Sequence, residues 1–130
     1  MDHTGTGPVA AIDCGTNSTR ILIADRHGRQ LLRLMQITRL GEGVDASGKL
    51  TPDAIDRTVG VLAEFRTEMD RHGVVRARLV ATSAVRDAVN GEDFLAAASE
   101  AAGVPAELLA GQEEGRLAYA GATADLPEVA

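Results

Sequence analysis

Three short strand-like segments joined by two tight turns stand near the start of the sequence, and this arrangement constrains the fold most. Residues 9–13 are an apolar run typical of a buried strand. Residues 19–25 alternate and are rich in β-branched side chains, and residues 30–40 form a longer apolar segment. Turns this short cannot carry a crossover connection, so the segments are predicted to form an antiparallel meander.

A long amphipathic helix is predicted next. Residues 41–50 contain three glycines and no apolar period, which indicates a loop. Thr51, Pro52 and Asp53 have the chemistry of a helix start. The apolar residues that follow recur at spacings of three and four, which places them on one helical face. They are Ile55, Val59, Leu62, Phe65 and Met69, and Gly73 ends the pattern.

Strands and helices alternate through the rest of the chain. The patterns predict strands at 78–81 and 105–110, and helices at 83–89, from Asn90 as the cap to about residue 102, and at 112–122. Pro105 favours an edge position for the last strand. The order β-β-β-α-β-α-β-α is that of an RNase H-like fold, an α/β lobe with a five-stranded mixed sheet and flanking helices.

Length and composition fit one such lobe. The chain has 130 residues, of which 45% are hydrophobic, enough for a single core. Residues 1–8 are expected to be a disordered leader, residues 9–122 the lobe, and residues 123–130 a tail. With one cysteine, Cys14, no disulfide can form within the chain, and a small buried side chain is the expected role.

Charge and aromatic content exclude several classes of partner. The net charge is −6 and aromatic residues make up 2%, which argues against nucleic-acid binding. No apolar run is long enough for a membrane span and no signal peptide is recognisable, so a cytoplasmic protein is expected. His3, His27 and His72 have no metal-ligand spacing and are expected at the surface.

The first candidate site follows the first predicted strand. Asp13 ends that strand and is succeeded by the small polar residues Gly15, Thr16, Asn17 and Ser18. The backbone N–H groups of such a turn can surround a phosphate, and the carboxylate can hold Mg²⁺. The alternative is an ordinary hairpin turn with an Asx cap.

The second candidate site follows the fourth predicted strand. Ser83 stands where the next helix begins, a position that favours anions, and Arg86 can bind a phosphate oxygen. The alternative is that Ser83 caps the helix and that Arg86 pairs with Asp87 or Glu92 on a solvated face.

The third candidate site follows the fifth predicted strand. Glu113 and Glu114 lie in the first turn of the last predicted helix, and one of them could accept a proton from an attacking water. The alternative is helix capping alone. All three sites follow strands of one predicted sheet, so they could converge at one end of it.

Together the three segments resemble the exopolyphosphatase and guanosine pentaphosphate phosphohydrolase family, part of the actin, sugar-kinase and heat-shock-chaperone superfamily. The matching segments are AIDCGTNS at 11–18, ATSAVRDA at 81–88 and GQEEGRL at 111–117. The resemblance extends from Val9 to about Gly121. It implies release of terminal phosphate from inorganic polyphosphate, or of the 5′ γ-phosphate from pppGpp, with Mg²⁺ and an activated water.

The resemblance also implies roles for individual residues. Asp13 would be the metal-binding carboxylate of the first phosphate loop, with Gly15, Thr16, Asn17 and Ser18 around the phosphate. Arg86 matches the family's phosphate-contacting arginine, and Glu114 matches the proposed general base. Gly115 stands where alanine is usual.

The family's second phosphate loop, of the form Asp-x-Gly-Gly-Gly-Ser, is not in this sequence, which ends at Ala130. We therefore expect the first lobe of a two-lobed enzyme, with little activity alone and an exposed inter-lobe face that favours self-association. Two alternatives stay open at this point. One is a non-catalytic lobe that senses a phosphorylated ligand or assembles like actin, and the other is half of a sugar or acyl kinase.

Overall fold

One mixed sheet organises the computed structural model, which describes residues 7–108 of the chain. Its strands are β1 (Val9–Cys14), β2 (Ser18–Ala24), β3 (Gln30–Ile37), β4 (Arg76–Ala81) and β5 (Ala106–Leu108). Their order across the sheet is β3-β2-β1-β4-β5. β1, β2 and β3 are antiparallel neighbours, whereas β4 is parallel to β1 and β5 is parallel to β4. This is the RNase H-like arrangement that the sequence predicts, with β5 at an edge.

The described helices are α1 (Val44–Ser47), α2 (Pro52–Arg71), α3 (Ser83–Asp87) and α4 (Gly91–Ala102). α1 corrects the prediction of an uninterrupted loop over residues 41–50. It is a single turn between Gly43 and Gly48, both in the left-handed region that glycine adopts freely. A helix of four residues is too short to show a period, so the sequence pattern missed it.

α2 begins where the sequence predicts. The Thr51 hydroxyl accepts a hydrogen bond of 3.1 Å from the Ala54 N–H, and Pro52 occupies the first turn. The predicted apolar face is correct for Leu62, Phe65 and Met69. In the first two turns it is wrong by one residue, because Ala54 and Thr58 are buried whereas Ile55 and Val59 are only half-buried. These small side chains let the helix approach its neighbours, and the Thr58 hydroxyl donates to the Ala54 carbonyl.

The core lies on one face of the sheet. Ala10, Ile12 and Cys14 of β1 belong to the buried cluster that Leu62 and Phe65 of α2 complete. Side chains alternate along a strand, so Val9, Ala11 and Asp13 project from the opposite face. Asp13 is therefore placed next to the core without being part of it.

Several element ends differ from prediction. β3 ends at Ile37 and not near residue 40, because the N–H groups of Thr38 and Arg39 turn to the Asn17 carbonyl. β4 begins two residues earlier and α3 ends two residues earlier than predicted. Asn90 does not cap α4 with its side chain. Its amide instead pairs with both backbone groups of Leu50, at 2.9 and 3.0 Å.

Three predicted parts lie outside the described residues: most of the leader (1–6), the last helix (112–122) and the tail (123–130). Pro8, at the end of the predicted leader, accepts a hydrogen bond from the Val75 N–H. Within residues 7–108, no helix is both long and apolar enough to cross a membrane.

Candidate functional site

Parallel pairing of β1 and β4 brings two candidate sites to the same edge of the sheet. Cys14 at the end of β1 pairs with Ala81 at the end of β4, so the segments after both strands begin side by side. β5 continues the parallel arrangement and ends at Leu108, which pairs with Ala81. We call this side of the sheet the carboxyl edge. Ligands of open α/β sheets bind at such edges.

The turn after β1 (residues 15–18), which we call the phosphate turn after its predicted role, has the carbonyl groups of Thr16, Asn17 and Ser18 bound. The Gly15 N–H donates to the Ser18 carbonyl at 2.9 Å, and an added Cβ at Gly15 would be 3.0 Å from that oxygen. The Thr16 and Asn17 carbonyls accept hydrogen bonds from the segment after β3. Within residues 7–108, the N–H groups of Thr16 and Asn17 make no backbone hydrogen bond, and both residues are exposed. Such a turn presents backbone donors to an anion.

Asp13 and Cys14 end β1 on opposite faces of the sheet. Asp13 is buried, with 5% exposure, and adjoins the phosphate turn. Burial, and to a lesser degree the neighbouring Asp13 carboxylate, raises the pKa of the Cys14 thiol far above its usual range. A thiol that keeps its proton is not a nucleophile, so Cys14 is a buried core side chain as predicted.

The segment after β4 touches the phosphate turn. The Thr82 hydroxyl donates to the Cys14 carbonyl at 3.2 Å, and the Ser83 hydroxyl lies 3.5 Å from that of Thr16. Arg86 follows Ser83 by three residues, so both project from the same face of α3. The Arg86 Nε lies 3.5 Å from an Asp87 carboxylate oxygen, the ion pair expected for a solvated face.

The structure thus brings together Asp13, the phosphate turn and the helix that carries Arg86. The third candidate segment, with Glu113 and Glu114, lies outside the described residues. The catalytic role of Glu114 therefore stays a prediction, as do the metal-binding role of Asp13 and the phosphate-binding role of Arg86.

In the described part of the chain, few protein side chains at this edge could bind a metal ion. Within residues 7–108 there is no cluster of three or more His, Cys, Asp or Glu side chains that could hold a metal ion. Of the histidines, His72 contacts the Glu68 carbonyl at the end of α2, and His27 is exposed in the β2–β3 turn. Mg²⁺ commonly uses one or two carboxylates together with substrate phosphate oxygens. The Asp13 carboxylate, beside the phosphate turn, fits that kind of site.

A further group of residues beside the phosphate turn escaped the sequence analysis. Ile37, Arg39, Glu42 and Arg57 line a cavity of about 310 Å³. For residues 39–42, the sequence pattern that could have indicated a role at the site was a glycine-containing loop directly after a strand. No sequence pattern indicated a role for Arg57, because polar residues are common on the exposed side of an amphipathic helix.

Comparison with known proteins identifies the family. The sequence profile of the Ppx/GppA phosphatase family matches residues 8–130. Exopolyphosphatase 2 of Mycobacterium tuberculosis is 42% identical over an alignment that covers 91% of this chain and 41% of the relative. A putative exopolyphosphatase of Haemophilus influenzae is 34% identical, and the alignment covers 38% of that relative's length.

Solved structures agree with this. A crystal structure of the Aquifex aeolicus Ppx/GppA phosphatase superposes with a TM-score of 0.78 at 36% identity, covering 85% of this chain and 38% of that one. A crystal structure of an exopolyphosphatase from Cytophaga hutchinsonii superposes with a TM-score of 0.74 at 30% identity, and the match covers 78% of this chain and 34% of that one. This chain therefore spans about two-fifths of the length of the relatives it matches. The chain belongs to the Ppx/GppA phosphatase family.

Proposed function

We propose that this chain forms one side of the active site of a phosphohydrolase that releases terminal phosphate from a phosphoanhydride chain. The observation that carries the proposal is the phosphate turn: its Thr16, Asn17 and Ser18 carbonyls are bound, whereas the N–H groups of the exposed residues Thr16 and Asn17 make no backbone hydrogen bond within residues 7–108. Its contact with Ser83 adds the start of α3 to the same surface. The relatives named exopolyphosphatases favour inorganic polyphosphate as the substrate, with pppGpp as the second candidate.

In this proposal the residues have separate tasks. The N–H groups and hydroxyls of the phosphate turn bind the oxygens of the terminal phosphate, and the Arg86 guanidinium neutralises charge on it. Mg²⁺, held by the Asp13 carboxylate together with phosphate oxygens, supplies further neutralisation when bound. The Glu114 carboxylate accepts a proton from the attacking water. The water oxygen bonds to the terminal phosphorus, the bridging P–O bond breaks, and the shortened chain leaves with the bonding electrons.

We also propose that residues beyond this chain complete the site. Phosphoryl transfer depends on positioning and charge neutralisation from several sides, and this chain corresponds to about two-fifths of its relatives. The 130 residues alone are expected to release little or no phosphate. The face towards the rest of the protein is expected to favour self-association, which light scattering would detect as a mass above that of a monomer. A cytoplasmic location, with no nucleic-acid or membrane partner, also belongs to this proposal.

The test is phosphate release by the complete polypeptide that carries this chain, with polyphosphate and pppGpp as substrates. Glu114→Gln removes the proton acceptor and should lower kcat by roughly 10²- to 10⁴-fold. Glu113→Gln is the matched control and should stay within a few-fold of the wild type. Wild-type rates in Glu114→Gln would exclude Glu114 as the base. Absence of phosphate release from either substrate by the wild type would overturn the proposed function.

A further inference from the structure

The phosphate turn is held by a segment from elsewhere in the chain. We call residues 38–42, which follow β3, the support segment. The Gly41 N–H donates to the Thr16 carbonyl at 3.0 Å. The N–H groups of Thr38 and Arg39 both donate to the Asn17 carbonyl, at 3.1 and 3.0 Å. The orientation of the Thr16 and Asn17 carbonyls therefore depends on where the support segment lies.

Arg57 of α2 donates to two carbonyl groups of the support segment, and the Thr38 carbonyl belongs to the same peptide group as the Arg39 N–H. The Arg57 Nε donates to the Thr38 carbonyl at 2.9 Å, and its Nη2 donates to the Arg39 carbonyl at 3.4 Å. The same Nη2 lies 3.0 Å from a Glu42 carboxylate oxygen. One guanidinium thus contacts three residues of the support segment, which a planar fork of five donors makes possible.

The support segment needs such an anchor. Arg39 has a φ of 51°, the only positive φ among non-glycine residues in the described part of the chain. A side chain disfavours that conformation, so the surroundings must hold it. Arg57 comes from a helix of 20 residues whose opposite face is buried in the core, so it is a firm point of attachment.

We propose that Arg57 is a positioning residue for the phosphate turn. Its Nε holds the peptide group between Thr38 and Arg39 through the Thr38 carbonyl, and the Arg39 N–H of that group donates to the Asn17 carbonyl. The Arg39 carbonyl and the Glu42 carboxylate give the guanidinium two further contacts with the support segment. Hydrogen bonds linked in this way through one peptide group reinforce each other. Arg57 thereby sets the direction of the turn's open N–H groups without itself touching phosphate. The consequence for catalysis rests on the proposed function, whereas the structural coupling does not.

Amide hydrogen exchange of this chain tests the coupling without any activity. In Arg57→Ala, exchange at Thr38, Arg39 and Gly41 should accelerate by about tenfold or more, with the Ile12 amide of β1 unchanged. Arg57→Lys should give an intermediate effect, because one ammonium cannot replace the fork. Arg71→Ala is the matched control, since Arg71 is an exposed arginine of the same helix paired only with Glu68 among described contacts. Exchange within twofold of the wild type at all three amides, or equal acceleration at Ile12, would overturn the proposal.

Turnover of the complete polypeptide tests the consequence. Arg57→Ala should lower kcat/KM roughly 10- to 100-fold, a size typical of a displaced catalytic contact. Because the Arg57 side chain is 39% exposed, added methylguanidinium can enter the space it leaves and should restore part of the rate. Arg71→Ala should stay within twofold and gain nothing from methylguanidinium. Rates within twofold of the wild type in Arg57→Ala would refute the catalytic consequence. A wild type that releases no phosphate would refute the proposed function, and the exchange result would still decide the role of Arg57.

Discussion

Gly41 is the residue whose missing side chain matters most for the site. A Cβ added there would overlap the Thr16 methyl group and also contact Ala84. The backbone of Gly41 is not in the left-handed region, so the requirement for glycine is one of space alone. The close approach lets the Gly41 N–H reach the Thr16 carbonyl and hold the phosphate turn.

Gly41→Ala should therefore destabilise the fold by about 1–3 kcal/mol, the usual cost of forcing extra volume into a packed site. Gly60→Ala is the control. Gly60 lies inside α2 with no atom near an added Cβ, so alanine should stabilise by about 0.5–1 kcal/mol. Urea unfolding of both variants measures the difference. Equal stability of Gly41→Ala and the wild type would contradict the close contact with Thr16.

Cys14 gives a pH-dependent prediction. Burial raises its pKa in the folded state, so in alkaline solution the unfolded chain loses this proton while the folded chain keeps it. The stability tied to Cys14 is thus complete below the ordinary thiol pKa of about 8.5 and declines above it. From pH 7 to pH 10 the wild type should lose about 2 kcal/mol more than Cys14→Ala. Equal losses, or rapid reaction of the native thiol with a disulfide reagent at pH 8, would contradict the burial of Cys14.

The sequence patterns indicated candidate residues in recognisable motifs, but they did not indicate the residues that hold those motifs in position. Asp13 and Arg86 could be chosen because Asp13 ends a recognisable strand, Arg86 follows one, and each stands in a distinctive segment. Arg57 could not, because its role depends on contacts with Thr38 and Glu42, which are 19 and 15 residues away in the chain. Such contacts depend on the final packing of α2 and leave no local pattern.

Among the helices within residues 7–108, α2 is the one whose N-cap side chain makes a capping hydrogen bond. Thr51→Ala removes the acceptor for the Ala54 N–H and should cost about 1 kcal/mol. Thr67→Ala, on the exposed side of the same helix, should change stability by less than about 0.5 kcal/mol. Thermal unfolding compares the two. A loss for Thr51→Ala no greater than for Thr67→Ala would show that the cap contributes nothing.

Elements with a repeated pattern were predictable, and short connecting pieces were not. The alternation predicted for residues 19–25 is confirmed, since Ile21 and Ile23 of β2 lie in the core whereas Arg20 is exposed. The predicted end of β3 was wrong, because the Asn17 carbonyl in an earlier turn accepts hydrogen bonds from the N–H groups of Thr38 and Arg39. Asn90 stands at the cap position of α4 as predicted, but its side chain binds the backbone of Leu50 instead of capping the helix. In both cases a hydrogen bond to a backbone group far away in the sequence replaces the predicted local interaction.

At the scale of the whole molecule, strand direction determines where the candidate residues meet. The Asp13 strand and the strand before Arg86 are parallel neighbours, so their carboxyl ends, Cys14 and Ala81, lie at one edge although they are 67 residues apart in sequence. The predicted order of elements along the chain was enough to expect that these sites could converge at one end of the sheet. It was not enough to anticipate the support segment, which crosses from β3 to the phosphate turn through backbone contacts that no side-chain pattern reports.

In the proposed function, this carboxyl edge binds the terminal phosphate of a phosphoanhydride. The most direct measurement is an NMR titration of the chain with inorganic tripolyphosphate, with and without Mg²⁺. Saturable amide shifts are expected at Gly15, Thr16, Asn17 and Ser83, and they should be strengthened by Mg²⁺ and reduced in Arg86→Ala. The absence of shifts at these amides, or shifts confined to the opposite edge around Arg66 and Gly103, would contradict it.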